Sequence, residues 1–360
     1  MKAALAATIL LISAAALAQP GGARKIFIDQ DGSGPGGTDM LSVLALLQAP
    51  DVEVVGITVT SGDVWMREGV RNMLRMLELT GHEKVSVAPG GEFPLVNSRE
   101  ETELWEAQFG AFSYKGAWNA GRYHDPRIVA PGYAAGEPAI KALQTHGAQL
   151  LIDAVRRNPN EVTVWVGGPL TTVALALRLD PDVAVLAKEL VLMGAGFNVD
   201  KGGNHRVNGR REFNWWWDPE ATRIVMAAPW KKITITPVDI SVKTTLGDDT
   251  KQRIARSPSK SAQYVTKFVG RGDGYMWDEI AAVAWLDPAI ITKQQELYVN
   301  VDIDHGASYG QTIFVEPSGE PAPGQPPVAR KMPPWWHVAT VQWDLDTKRF
   351  YDAFAELMSK

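Results

Sequence analysis

The chain contains no cysteine. That removes disulfides, zinc–thiolate sites, iron–sulfur clusters and thiol nucleophiles together. An excess of positive charge is also missing. With 36 Lys and Arg against 41 Asp and Glu, the formal net charge is −5, which argues against a nucleic-acid-binding module. No P-loop ending, Gly-Lys followed by Ser or Thr, is found, so a nucleotide-phosphate cradle of that kind is not expected. What is there is the composition of a globular protein: 360 residues, 45% hydrophobic and 21% charged, long enough for one large α/β domain or two ordinary ones. Tryptophan is the count most out of line, at 13.

Met1 and Lys2 precede an apolar run from Ala3 to Leu17, and Ala16-Leu17-Ala18 supplies the small residues that a signal peptidase needs. Residues 1–18 read as a cleaved signal peptide and imply a secreted protein, best fitted to a bacterial periplasm. The run is too short and too Ala-rich for a stable membrane anchor.

Beyond it, apolar runs suited to buried strands alternate with stretches of helical period. Strands are predicted at Lys25–Ile28, Val52–Thr60, Val85–Ala88, Val162–Val166, Glu189–Met193, Lys232–Thr236 and Leu297–Val301. Helices are predicted at Leu41–Leu47, Met66–Leu79, Ala139–Arg156, Thr171–Leu179, Pro219–Ala227, Thr250–Val269, Asp278–Leu286 and Thr347–Met358. This order implies one Rossmann-like α/β domain over residues 23–360, a mostly parallel sheet with helices on both faces. Residues 90–136 lack periodicity and read as an insertion of loops and short helices. Residues 316–334 hold seven prolines and read as a surface loop.

In such a sheet, ligands bind outside the carboxyl ends of the strands. The first strand ends in Asp29-Gln30-Asp31, a Gly-rich turn follows, and Asp39 meets the next helix. Three carboxylates so placed could converge on a hard cation that takes oxygen ligands. The bland alternative makes Asp39 an N-cap and lets Asp29 and Asp31 cap the turn. Gly167-Gly168-Pro169, Gly194-Ala195-Gly196 leading to Asn204 and Glu212-Phe213-Asn214, and Trp277-Asp278 mark three further strand ends or helix starts. Together they outline a polar pocket.

These residues resemble the inosine-uridine type nucleoside hydrolases, which cleave the N-glycosidic bond of ribonucleosides with a bound calcium ion. The opening signature of that family, Asp-x-Asp-Pro-Gly-x-Asp-Asp, is matched by Asp29-Gln30-Asp31 and by Pro35-Gly36-Gly37-Thr38-Asp39, with Gly32 to Gly34 inserted. Gly168-Pro169-Leu170-Thr171, Leu192-Met193-Gly194, Glu212-Phe213-Asn214 and Trp277-Asp278 follow in the family's order over nearly all of the mature chain. The resemblance implies that Asp31, Asp39, Asp278 and the Gly167 carbonyl bind Ca2+ and that Asp31 is the general base. It implies substrate contacts from Asp29, Thr38, Asp63, Asn204, Glu212, Asn214 and Trp277. It also implies a nucleoside as the small-molecule partner, a role in nucleoside catabolism or purine salvage, no nucleic acid, and a homo-oligomer, dimer or tetramer.

Three departures bear on activity. Thr38 replaces a family acid that contacts ribose, Asp63 stands where the family commonly has Asn, and Trp277 replaces a His that protonates the leaving purine. An indole N–H is no acid at neutral pH. His205 is then the candidate general acid, with stacking by Trp277 as the alternative route. Two rival readings follow: a calcium-dependent nucleoside- or sugar-binding protein without turnover, and a hydrolase of another pentosyl bond. Trp215-Trp216-Trp217 cannot all face one way, so core packing is expected for most and a pocket or interface for another. Arg206, Arg210 and Arg211 read as solvated loop charge.

Overall fold

The computed structural model of the protein describes residues 22–119, 124–129, 131–197, 210–270, 274–319 and 328–360. The expected leader, with Asn204, His205 and Arg206, lies outside the described residues. Eleven strands occur among those described. They are β1 (Arg24–Gln30), β2 (Val52–Val59), β3 (Val87–Pro89), β4 (Val162–Val166), β5 (Glu189–Met193), β6 (Ile233–Thr236), β7 (Ile291–Val301), β8 (Thr312–Val315), β9 (Ser318–Gly319), β10 (Val328–Ala329) and β11 (Val338–Leu345). β9 and β10 pair with each other inside the Pro-rich excursion; the other nine form one sheet in the order β3-β2-β1-β4-β5-β6-β11-β7-β8.

Every pairing from β3 across to β11 is parallel, and only β7 runs against its neighbours. β4, β5 and β6 are buried along their whole length, as strands of a parallel sheet are when helices cover both faces. One face packs on helices Thr38–Leu47, Met66–Thr80, Trp277–Leu286 and Thr347–Met358. The other packs on helices Gly147–Arg157, Thr171–Leu179 and Pro219–Met226. The chain winds outward from β1 to β3, then restarts at β4 on the other side of β1. The crevice this reversal opens, above the carboxyl ends of β1 and β4, is where doubly wound sheets bind ligands.

Most predicted elements are found within a few residues, and the exceptions have local causes. Residues 139–146 are not helical, because Glu78 Oε1 accepts the N–H groups of Ala139 and Ile140 at 2.6 and 2.7 Å and Val87 accepts that of Leu143 at 2.8 Å. The helix begins only at Gly147, where the His146 ring accepts from the Ala148 N–H. The single helix expected over Thr250–Val269 is two, Asp248–Ile254 and Lys260–Phe268. Pro258 between them has no N–H to donate, and Ser259 caps the second. β7 starts at Ile291 rather than Leu297; its first half is polar and exposed and carries no apolar signal. β11 and the short helix Phe213–Trp217 are not anticipated at all.

All three tryptophans of that short helix are buried. Trp215 joins the main core beneath β5, while Trp216 and Trp217 enter an aromatic satellite with Trp65, Trp105, Phe112 and Trp118. Trp118 stacks on Trp217 with centroids 4.1 Å apart. None of the three lines the crevice, so the expectation that one of them would do so is not met. Arg211 is a correction. It is 1% exposed rather than solvated, its guanidinium donating to the carbonyls of Tyr309 (2.8 Å) and Ala307 and lying over the Trp105 ring. Satisfied donors and an aromatic face make that burial tolerable. No helix among the described residues is long and apolar enough to cross a membrane.

Candidate active site

The crevice is a cleft of about 570 Å³. Its floor is built from chain reversals at strand ends. Asp31 follows the last residue of β1. Asp39 sits in the first turn of helix Thr38–Leu47; Gly37 precedes that helix without a side-chain cap, and the Asp39 carboxylate instead accepts the Ser33 N–H at 2.6 Å, closing the Gly-rich loop. Asp63 follows β2 and donates its own N–H to Asp31 Oδ2 at 2.8 Å. This approach needs the preceding glycine, since a Cβ on Gly62 would lie 2.2 Å from Asp31 Oδ2. Gly167 follows β4, and Asp278 opens helix Trp277–Leu286 from across the cleft.

Carboxylate oxygens of Asp31, Asp39 and Asp63 all lie within 4.8 Å of one another. Asp31, Asp39 and Asp278 are buried, and their pKa values are pushed well above the carboxylate range, first by burial and then by one another's charge and that of Asp63. Among the described residues no Lys, Arg or His lines the cleft. An oxygen-only, acid-rich donor set without a protein counter-charge fits a hard divalent cation.

The opening loop holds Asp278 at two points. Gln30 Nε2 donates to Asp278 Oδ2 at 3.0 Å, and the Asp278 N–H donates to Thr38 Oγ1 at 2.9 Å. Thr38 in turn donates its hydroxyl to Glu279 at 2.5 Å. Glu279 is fully buried, and burial lifts its pKa to about 8. Thr38 does line the cleft, but its hydroxyl is spent on the helix that carries Asp278.

Glu212 and Asn214 line one side. Glu212 caps helix Phe213–Trp217, accepting the N–H groups of Asn214, Trp215 and Ala195 at 2.8, 3.1 and 3.2 Å. Burial still lifts its pKa to about 7. Asn214 Nδ2 donates to the Gly167 carbonyl at 2.9 Å, tying helix Phe213–Trp217 to the end of β4. Asp29 is placed differently from the expectation. It points away from the cleft, accepts the Thr58 hydroxyl at 2.6 Å and is raised by burial to about 7, so it supports the end of β1 rather than facing a substrate.

The walls are aromatic. Trp277 packs against Tyr275 on one side, ring centroids 4.9 Å apart. Tyr114 and Phe213 form the other, edge to face at 5.1 Å. The Tyr114 hydroxyl is hydrogen-bonded to Asp63, and burial followed by that carboxylate's charge raises its pKa.

The family model described as inosine-uridine preferring nucleoside hydrolase matches residues 26–352. The chain belongs to this family. Its members are N-glycosyl hydrolases that split ribonucleosides and depend on a metal ion. The chain is 32% identical to the probable uridine nucleosidase 2 of Arabidopsis thaliana, over 75% of this chain and 77% of that one. To the inosine-uridine preferring nucleoside hydrolase of Leishmania major it is 26% identical, over 81% and 87%. Among solved structures, an inosine-guanosine nucleoside hydrolase superposes with a TM-score of 0.71 at 24% identity, over 93% of this chain and 98% of that one, which shows the same fold.

Of the residues that the nucleoside hydrolase resemblance named, the cleft gathers Asp31, Thr38, Asp39, Asp63, Gly167, Glu212, Asn214, Trp277 and Asp278. Sequence reasoning missed Ser113, Tyr114 and Tyr275 on the walls and Glu279 beneath them. Tyr114 comes from the aperiodic insertion, and the signal that could have found it is Gly116. That residue has φ +52° and no room for a Cβ, which would lie 2.3 Å from the Gly62 carbonyl, so the insertion docks beside Asp63.

Proposed function

We propose that this chain hydrolyses ribonucleosides to free base and ribose with calcium held by Asp31, Asp39, Asp278 and the Gly167 carbonyl, and with Asp31 as general base. The observation that carries the reading is the meeting of this acid floor with Glu212 and Asn214 in one cleft at the sheet's reversal point. Calcium, when bound there, lowers the pKa of a coordinated water and orders sugar hydroxyls. Asp31 takes the proton of the attacking water. Glu212 and Asn214, already locked by backbone partners, hold the ribose while its anomeric centre passes through an oxocarbenium-like state. Trp277 stacks on the departing base, which favours the larger purine face. His205, the other candidate for assisting departure, lies outside the described residues.

The test is release of reducing sugar from a panel of purine and pyrimidine nucleosides, with and without chelator. Turnover abolished by chelator and restored by calcium is the expected result. The engagement of the Thr38 hydroxyl with Glu279 favours a second reading, binding without turnover, and nucleoside binding with no sugar release at high protein concentration would establish it. Release only from substrates other than ribonucleosides would establish cleavage of another pentosyl bond. Asp278→Ala should abolish calcium binding and activity together; activity at an unaltered rate would rule the site out.

Two further proposals rest on sequence alone. The Ala3–Leu17 run supports export to the periplasm, checked by whether the mature protein begins at Gln19 or keeps Met1. Resemblance to the family supports a dimer or tetramer, checked by light scattering.

A further inference from the structure

We propose that Asp63 is itself a ligand of the cation in this chain and restores to the site the carboxylate charge that position 38 no longer supplies. The proposal rests on the calcium reading above and adds a residue that the resemblance assigned to the substrate.

Two substitutions relative to the family pattern are coupled in space. At position 38 an acid has become Thr, and at position 63 an Asn has become Asp, so one carboxylate is lost from the start of a helix and one is gained at the end of β2. The Thr38 hydroxyl is committed, donating to Glu279 and accepting from the Asp278 N–H, and cannot stand in for the lost acid. Asp63 sits where a replacement must. Its carboxylate joins those of Asp31 and Asp39 within 4.8 Å, its N–H grips Asp31 Oδ2, and Gly62 leaves no slack between the two residues. The Tyr114 hydroxyl bonds the Asp63 carboxylate and orients it, and Asp63 lines the cleft together with Asp31 and Asp39. An Asn at 63 could hydrogen-bond a sugar hydroxyl as well as an Asp could. Only an Asp brings a full charge to a cluster that has no Lys, Arg or His among the described cleft residues, and the charge count of the ligands sets the affinity of a calcium site.

The experiment is calcium titration calorimetry on chelator-stripped wild-type, Asp63→Asn and Asp39→Asn proteins, with europium luminescence lifetimes in light and heavy water to count coordinated waters. Asp39→Asn should lose calcium binding. Asp63→Asn should bind about tenfold more weakly or worse, and its bound europium should gain about one water where the carboxylate was. That gain separates a lost ligand from general loosening. Asp63→Glu, which keeps the charge, should recover part of the affinity and serves as the second variant if Asp63→Asn does not fold. Should Asp63→Asn bind calcium within twofold of wild type with an unchanged water count, while Asp39→Asn loses it, Asp63 is not a ligand and the calcium reading stands. If Asp63→Asn does not fold and Asp63→Glu binds no better than Asp39→Asn, the proposal fails as well. Wild-type protein that binds no calcium overturns both.

Discussion

The floor and the walls of the cleft are made by different parts of the chain. The floor residues, Asp31, Asp39, Asp63, Gly167 and Asp278, sit at the ends of β1, β2 and β4 or at the starts of helices packed on them. Their positions follow from the parallel sheet and its reversal between β1 and β4, and backbone contacts under 3 Å hold several of them. The walls, Tyr114 and Phe213 against Tyr275 and Trp277, come from an aperiodic insertion, a short aromatic helix and the approach to a late helix. The floor fits the metal-dependent chemistry common to the family; on the proposed reading the walls would face the departing base. A difference in substrate among relatives is therefore expected to arise in the walls, with the floor unchanged.

The largest way to break this comparison is Asp31→Asn. Removing the proposed general base at the centre of the floor should lower kcat/KM by about 10³-fold or more, measured with whichever nucleoside turns over best. A loss under tenfold would mean that the floor does not carry the chemistry.

The stability of the floor without metal comes next. Burial and mutual charge push Asp31, Asp39 and Asp278 of the floor well above the usual carboxylate value, and around it burial raises Asp29, Glu212 and Asp218, the cap of helix Pro219–Met226, to about 7 and Glu279 to about 8. Each therefore holds a proton more firmly folded than unfolded, and its contribution is full below the unfolded carboxyl pKa and lost as pH rises to 7 or 8. Glu78, Glu189, Asp180 and Asp344 shift the other way, but they are ionised in both states above pH 5. Among the described residues, His82 and His146, lowered by burial, oppose the trend near neutrality. In chelator, Tm should fall by several degrees from pH 5 to pH 8. Calcium should flatten that slope by giving the carboxylates a counter-charge; a Tm that rises over the same window without metal would contradict the burial argument.

The smallest effect is on the walls. Trp277→Ala should leave calcium binding unaltered and lower kcat/KM by about tenfold, more for purine than for pyrimidine nucleosides, as loss of one stacking partner implies. An equal loss for every base would remove Trp277 from base recognition and sharpen the division by moving specificity to Tyr114 and Tyr275.

The same division sets what could be read before folding. β4, β5 and the helices Thr171–Leu179 and Thr347–Met358 are found with the residues predicted, because their apolar period is set by burial on one or two faces. β11 was missed because it is an alternating, half-buried strand that reaches its place between β6 and β7 only after the Pro-rich excursion. In the site, Asp31, Asp39 and Asp278 were legible because strand ends and helix starts carry their own local signals. Tyr114 was not: Gly116 beside it is a signal of a tight turn, but its partner, Gly62, is distant in sequence.

By itself, then, the order of apolar runs and acidic turns determined a parallel α/β domain with carboxylates at its switch point, since period and turn chemistry are properties of short segments. Tertiary structure alone decided that Thr38 serves Asp278, that Asp63 stands among the acids, that Asp29 faces away, and that three consecutive tryptophans all go inside. Each of these depends on which distant segment fills the space beside a side chain, and local sequence does not record that.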